Sequence, residues 1–511
     1  MKTIFPFLVI FFVILLSFST GNAVRPPSNK PTNIGNRREL FTDRALLDKF
    51  EGKAQLRLHH PTPREVALTF DQPWEGNASG YATVFRDGDI YRMYYRGHRY
   101  IVDEPPLRQA QSEVVCYAES KDGIMWIRPK LKLFDWKGSK DNNIIWRGGP
   151  ETHNFAPFKD ANPNCPPDER YKAIGGTVSS KGLLTFKSKD GIHWSKLSDS
   201  PVVTKGAFDS HNTAFWDPEH QRYVMYTRYF SKGKFRGLRS IAVSYSKDFR
   251  TWSEPIPLNY PGASPQQMYT NQIGPYYRAP HILFGFPTRY VARPLTEHVK
   301  TIDPVPLRTK MTAALRRVGS DLTDGLFMTS RDGQSFHRWD EAFLRPGPQT
   351  KEQWMYGNNY QSYGLFETKS SHRNAPNEIS MHFTENAWRD KDHRVRRYSI
   401  RLDGFVSLHA PYSGGGVITK PLIFDGNKLS LNYSTSAAGS VRVEIQDVAG
   451  NPIKGFSLKE SNELYGDSVD QTVSWKNGND VSNIAGQPIR LRFVLRDADL
   501  YSYRFGSKNG K

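Results

Sequence analysis

Short runs of alternating apolar and polar residues recur through most of the chain. Residues 114–119, 183–187, 241–245 and 326–329 follow this period of two and predict β-strands. Long stretches of Ala, Leu, Glu and Lys at helical spacing are scarce. The strand runs are punctuated by one phrase. Ser120-Lys121-Asp122-Gly123-Ile124-Met125-Trp126 is followed by Ser188-Lys189-Asp190-Gly191-Ile192-His193-Trp194, by Ser246-Lys247-Asp248-Phe249-Arg250-Thr251-Trp252 and by Ser330-Arg331-Asp332-Gly333-Gln334-Ser335-Phe336. A worn copy reads Arg401-Leu402-Asp403-Gly404-Phe405. Ser and Asp side chains bond a turning backbone, Gly takes positive φ, and the aromatic starts the outgoing strand, so each copy predicts a hairpin.

A second phrase lies upstream of each hairpin. Asn77, Asn154, Asn212, Asn271 and Asn359 each open a strand that reads as buried, followed by a turn such as Arg86-Asp87-Gly88-Asp89 and an aromatic second strand such as Tyr91-Arg92-Met93-Tyr94-Tyr95. Opening strand, turn, second strand, third strand, Ser-x-Asp-Gly turn, fourth strand describe one blade of a propeller. Five openings and five closings predict an all-β fold, a five-bladed β-propeller, with blades near 75–135, 150–203, 208–258, 268–346 and 356–408. One sheet per repeat, with no second sheet to cover it, favours radial packing over a row of sandwiches.

The pattern changes after about residue 408. Gly414-Gly415-Gly416 reads as a loop, residues 428–433, 441–445 and 489–495 alternate as strands, and residues 447–452 form a turn. This predicts a C-terminal β-sandwich over 409–511, after a lead segment at 24–65 and the propeller at 66–408. At the start, Met1-Lys2, an apolar run from Ile4 to Phe18 and Gly21-Asn22-Ala23 predict a secretory signal peptide over 1–23, hence a secreted or periplasmic protein. The run is short for a membrane span, and no later segment is apolar enough for stable membrane insertion.

Composition refines this picture modestly. Lys and Arg number 70 against 51 Asp and Glu, a formal net charge of +19. For an exported protein such an excess suits an anionic polysaccharide or cell surface rather than nucleic acid, or serves solubility alone. Cys116 and Cys165 are the only cysteines; a bridge is permitted in an oxidising compartment, but they make no disulfide scaffold and no metal-ligand spacing.

The candidate chemistry sits where innermost strands open onto a central funnel. Three openings carry an acid just before the Asn: Glu75-Gly76-Asn77, Glu151-Thr152-His153-Asn154 and Asp209-Ser210-His211-Asn212. The other two carry Tyr269-Thr270-Asn271 and Tyr356-Gly357-Asn358-Asn359. Three acids in one funnel would push at least one pKa up and set a proton donor beside a charged partner, as glycosidic cleavage requires. Glu75, Glu151 and Asp209 are therefore the predicted catalytic acids. Asn77, His153, Asn154, His211, Asn212, Tyr269, Asn271, Tyr356, Asn358 and Glu385 are the predicted sugar contacts. The bland alternative is that each Asn simply caps a turn. No cofactor is expected; the two histidines are compatible with a structural divalent cation in the funnel.

The repeated hairpins at 120–126, 188–194 and 330–336 resemble those of the five-bladed propeller glycoside hydrolases, the superfamily of families 32, 43, 62, 68, 117 and 130. The trailing strands at 429–433 and 490–495 are similar to the C-terminal module of family 32. The resemblance implies a glycosidase in which one acid from each of the first three blades serves as base or nucleophile, transition-state stabiliser and general acid. Carried over by blade, these are Glu75, Glu151 and Asp209. The chain lacks Trp-Met-Asn-Asp-Pro, Arg-Asp-Pro and Glu-Cys, which argues against a fructosidase of the invertase type. Two other readings fit the same residues: a non-catalytic carbohydrate-binding propeller, and a phosphorylase or transferase relative.

Overall fold

The computed structural model describes residues 30–506 except 103, 234, 235 and 352; the expected signal peptide lies outside them. Five four-stranded antiparallel sheets follow one another along the chain, and an eight-stranded assembly ends it. The innermost strands of the first four sheets are Gly80–Asp87, Ala156–Lys159, Thr213–Asp217 and Gly274–Tyr276, and neighbours in this series touch. Residues 360–365 open the fifth sheet and return to the first: Val84 N donates to Tyr363 O at 2.7 Å, and Tyr363 N to Ala82 O at 2.7 Å. The ring is thus closed.

Packing shows the same closure. Each gap between adjacent sheets holds its own apolar core. Tyr94 and Tyr117 meet Phe155 and Phe186 between the first two sheets, and Phe158 meets Tyr223 and Phe249 between the next two. Val224 and Tyr226 meet Met328 and Phe336; Phe284 and Phe327 meet Met381 and Phe383; Phe366 and Val395 meet Val84 and Met93. Every sheet is buried on both faces only because it has a neighbour on each side, which is the physical content of a propeller.

The hairpin chemistry is regular. Ser120 Oγ accepts from Gly123 N at 2.9 Å, and Asp122 Oδ1 accepts from Ile124 N and Met125 N; Ser188/Asp190, Ser246/Asp248 and Ser330/Asp332 repeat this. Gly123, Gly191 and Gly333 hold φ of +75°, +79° and +77°. Phe249 takes the same place at φ +63°, a strained position for a residue with a side chain, and its ring packs on Phe158, Tyr223 and Trp252.

Several expectations need correction. The outer strand of the first sheet is Ile144–Arg147, not the residues just after Trp126, because the intervening chain carries Arg128 inward to Glu75. The worn copy at 401–405 closes no fifth hairpin. Asp403 is buried there and accepts from Tyr276, Arg278, Asn432 and Ser502, joining the fourth sheet to the C-terminal assembly. The outermost strand of the fifth sheet is instead Thr62–Thr69, paired with Arg394–Arg401. Gly415 and Gly416 lie in a strand rather than a loop. A Cβ there would stand 2.5 Å from Ala54 N and 2.3 Å from Phe493 O, so close packing demands glycine.

The C-terminal assembly is dominated by two long strands, Lys428–Gln446 and Arg490–Gly506, with a register break between Thr435 and Ser440. They enclose a core that includes Leu429, Val443, Trp475, Phe493 and Phe505. The lead segment adds Arg38–Leu40, Leu47–Gly52 and Gln55–Leu58 to this assembly before supplying Thr62–Thr69 to the propeller. Cys116 and Cys165 are both free thiols. No helix among the described residues is long and apolar enough to cross a membrane.

One insertion escapes the strand pattern. Between strands Thr288–Val291 and Leu322–Gly325 lie helices Glu297–Thr301, Val305–Ala314 and Arg316–Ser320. Buried Arg308 binds them together, donating to Ile302 O at 3.0 Å, Gly319 O at 2.6 Å and Trp354 O at 2.5 Å. A Cβ on Gly319 would stand 2.2 Å from Thr312 Oγ1, so only glycine permits this approach.

Candidate active site

A cavity of about 120 Å³ occupies the end of the ring where the innermost strands begin. The strand openings supply Asn77, Tyr81, His153, Asp209, Tyr269, Tyr356 and Tyr360. The helical insertion adds Arg317 and Val318, and the loop of the short hairpin Tyr100–Ile101/Arg108–Gln109 adds Leu107, beside Tyr100 from its first strand. Trp388 and His393 come from the loop between the second and third strands of the fifth sheet. The walls are thus largely aromatic.

Asp209 is the one carboxylate among the described lining residues, and its side chain is 49% exposed to the cavity. The next residue, Ser210, is tied down twice. Ser210 Oγ donates to Tyr269 O at 2.7 Å, and Asn154 Nδ2 donates to Ser210 O at 2.9 Å. His153 stands between two carboxylates: Nδ1 lies 2.9 Å from Glu113 Oε2, and Nε2 lies 3.1 Å from Asp209 Oδ1. Glu113 also lies 3.2 Å from His98 Nδ1 and 3.7 Å from Arg96 Nη1. Arg96 is held by Ala78 O at 2.7 Å and Asn154 Oδ1 at 3.0 Å, over the Tyr81 ring.

The electrostatics follow from this chain of groups. Burial works against a charged His153, but its hydrogen bonds to Asp209 and Glu113 outweigh that and raise its pKa to about 9. Burial likewise opposes an ionised Glu113, yet Arg96 and His153 hold it down to about 2. Asp209 is held well below the usual carboxylate range: burial opposes ionisation, while His153, Arg228 and Arg96 favour it more strongly. At neutral pH the array is carboxylate, imidazolium, carboxylate. Burial pushes the Tyr81, Tyr269 and Tyr360 phenols up, so they stay protonated as hydrogen-bond donors.

The structure does not bring the three expected acids together. Glu75 is fully buried inside the first sheet. It accepts from Tyr95 OH at 2.5 Å and from Arg128 at 2.9 and 3.0 Å; burial pushes its pKa up against the pull of both. Glu151 turns away to Lys196 Nζ at 2.7 Å. Neither lines the cavity. Glu385 is buried and taken up by Arg394, Arg396 and Tyr398, because it ends a strand whose neighbour is rich in arginine.

The recurrent asparagines act as latches for strand openings. Asn154 ties to Ser210 O of the next opening, Asn271 to His211 O of the preceding one, and Asn359 to Thr323 O in the fourth repeat. Asn77 caps the backbone of Tyr100 through both its amide atoms, Asn212 binds Phe208 O and Ser210 O, and Asn358 Oδ1 accepts from Ala387 N. Of these six only Asn77 also lines the cavity. His211 lies deeper, between Gln272 at 2.9 Å and Thr83 at 3.3 Å; burial and Arg96 lower its pKa to about 3, so it is neutral.

Sequence reasoning missed Glu113, Arg96 and Arg317. Arg96 had a signal, a charge within the aromatic strand after Tyr94-Tyr95; Glu113 and Arg317 had none, lying outside the repeated phrases. An ionised carboxylate beside an imidazolium, facing phenols and an indole, can accept hydrogen bonds from vicinal hydroxyls, take a proton from water, or stabilise positive charge.

No family model matches the chain, and no curated protein matches it. Among solved structures, it is similar to an N-acetylgalactosamine deacetylase from F. plautii in complex with blood group B trisaccharide, with 13% identity over 66% of this chain and 94% of that one and a TM-score of 0.41. It is similar to a protein of the GH130 family of mannoside phosphorylases, with 12% identity over 68% and 94% and a TM-score of 0.37. It is also similar to a fructofuranosidase from Schwanniomyces occidentalis complexed with fructosylnystose, with 10% identity over 86% and 96% and a TM-score of 0.35.

Proposed function

We propose that this is an exported carbohydrate-active enzyme that cleaves glycosidic bonds of a poly- or oligosaccharide, with Asp209 as the reacting carboxylate. The observation that carries the reading is the ionised Asp209 side chain, held by His153 at 3.1 Å and aimed into an aromatic-walled cavity at the mouth of the ring. A permanently ionised carboxylate is a poor proton donor. Held below the usual carboxylate range it is also a weak base, so it serves best as the counter-charge to an oxocarbenium-like centre. Phenols and the Trp388 indole offer flat faces for sugar rings, and the phenols offer donors for their hydroxyls. The five-bladed propeller glycosidase resemblance points the same way.

A second reading, a sugar-binding propeller without turnover, is favoured by one observation: Glu75 and Glu151 do not join Asp209 at the cavity. Reducing-end release from a panel of oligosaccharides separates the two. The enzymatic reading expects turnover per folded molecule that falls about 1,000-fold in Asp209→Asn. Binding without release of reducing ends establishes the second reading, and full activity in Asp209→Asn removes the proposed role of that residue.

A further inference from the structure

The aromatic wall of the cavity is backed by arginines that make no close ion pair, although Arg228 still acts on Asp209 through space. Arg317, from the helical insertion, lines the cavity with its guanidinium 5.2 Å from the Tyr356 ring centre, and its Nη1 is buried without a hydrogen-bond partner. Arg228 lies 4.6 Å from the Tyr269 ring centre, and it too has a buried Nη1 without a partner; its side chain is almost wholly buried. Arg239 lies 4.0 Å from the Tyr290 ring centre, with a buried Nε unpartnered. None of the three makes an ion pair of 4.0 Å or less among the described residues. Other arginines of the ring do pair with acids; Arg128 with Glu75 and Arg289 with Asp324 are examples.

A buried guanidinium N–H left unsatisfied is costly, so its persistence in a cavity wall asks for an acceptor that arrives with the ligand. The balance of groups says which kind. The lining offers Arg317 and the phenols of Tyr81, Tyr269, Tyr356 and Tyr360 as donors, against one anionic acceptor, Asp209. A neutral sugar presents donors and acceptors in equal measure. An oxyanion presents acceptors only, and a guanidinium beside a phenol matches it. Asp209 bars an anion from its own side of the cavity by charge, which leaves the Arg317 side for it.

The geometry points to an anion subsite at Arg317 and Tyr356, so that the sugar taken by this cavity carries a carboxylate or a sulfate ester, with its hydroxyls on Asp209. Arg317 is a specificity-determining residue here, and Arg228 and Arg239 raise the potential behind it. This inference rests on the sugar-binding reading of the same cavity.

The test is calorimetric binding of matched sets built on glucose, galactose and mannose: the neutral sugar, its uronate and its 6-sulfate, with inorganic phosphate alone as a separate arm. At least one anionic sugar is expected to bind about tenfold or more tighter than its neutral counterpart, with an advantage that shrinks as salt is raised. Arg317→Gln is expected to erase that advantage, so that anionic and neutral sugars bind within about twofold of each other, while Arg317→Lys keeps part of it. Should Arg317→Gln fail to fold, Tyr356→Phe and the salt series on the unaltered protein test the same contact. Equal binding of neutral and anionic sugars overturns the anion subsite and leaves the sugar reading standing. Binding of phosphate together with neutral sugars only assigns the subsite to free phosphate and overturns a glycan-borne anion. Failure of every sugar to bind overturns both readings.

Discussion

Two strand openings are nearly the same in sequence and opposite in outcome. Glu151-Thr152-His153-Asn154 and Asp209-Ser210-His211-Asn212 open the second and third sheets in the same register. In the first, Pro150 starts a turn of 3-10 helix over Pro150–Thr152, which rotates Glu151 out to Lys196 and leaves His153 facing the cavity. In the second there is no helical turn; Asp209 faces the cavity and His211 goes to the floor of the channel. One opening contributes its imidazole and the other its carboxylate, and the two meet at 3.1 Å. Similar residue types in register specify which strands open together, while one turn of 3-10 helix decides which side chain reaches the cavity.

This contrast can be broken experimentally. The largest effect belongs to Asp209→Asn, where turnover is expected to fall about 1,000-fold, equivalent to about 4 kcal/mol of barrier. Nitrogen NMR of His153 provides a check free of substrate, because removing the Asp209 charge should bring its pKa down from about 9. Glu75→Ala should act on stability instead: it strands Arg128 beside a buried void, at a cost of about 3–5 kcal/mol in denaturant unfolding. Activity per folded molecule should survive, and its loss would return Glu75 to the site.

The third test is pH. The folded-state pKa of His153 is raised to about 9 from an ordinary 6.5, so its contribution to stability is complete below pH 6.5 and is lost as pH rises through 9. Melting temperature should therefore decline across that window, and His153→Gln should flatten the slope. Asn154→Ala should cost about 1–2 kcal/mol, since it leaves Ser210 O and Arg96 without their amide partner. Glu151→Gln is expected to change stability by under about 1 kcal/mol and turnover not at all. A large loss of turnover in Glu151→Gln would show that the outward orientation of this acid does not hold during reaction.

What could be read from the sequence was local. The Ser-x-Asp-Gly turns carry their own hydrogen bonds, and alternation marks the strands they join, so sheet count and order follow from short segments. The asparagines were visible, but the partners of Asn154, Asn271 and Asn359 lie 56, 60 and 36 residues away in other repeats, so a latch looked like a ligand contact. Glu113 is an isolated acid before a strand, and nothing near it in sequence signals His153, which sits 40 residues on. The helical insertion lacks a strong apolar stripe because Arg308, rather than a hydrophobic face, holds it together. Asp403 sits in a phrase that resembles a hairpin turn, yet four donors from three other segments converge on it.

The pairing of Thr62–Thr69 with Arg394–Arg401 has a consequence for the order of assembly. The outermost strand of the last sheet is synthesised first and meets its partner only after more than three hundred further residues have been made. At about 5–20 residues per second, that is a wait on the order of tens of seconds. Throughout it the strand has an unsatisfied edge and the first and fifth sheets lack their shared core. Ribosome-bound chains halted before residue 394 are therefore open arcs, exposed to proteases and holdases. Cutting the loop before Thr62 in the finished protein should leave the ring locked, since the clasp lies on its far side.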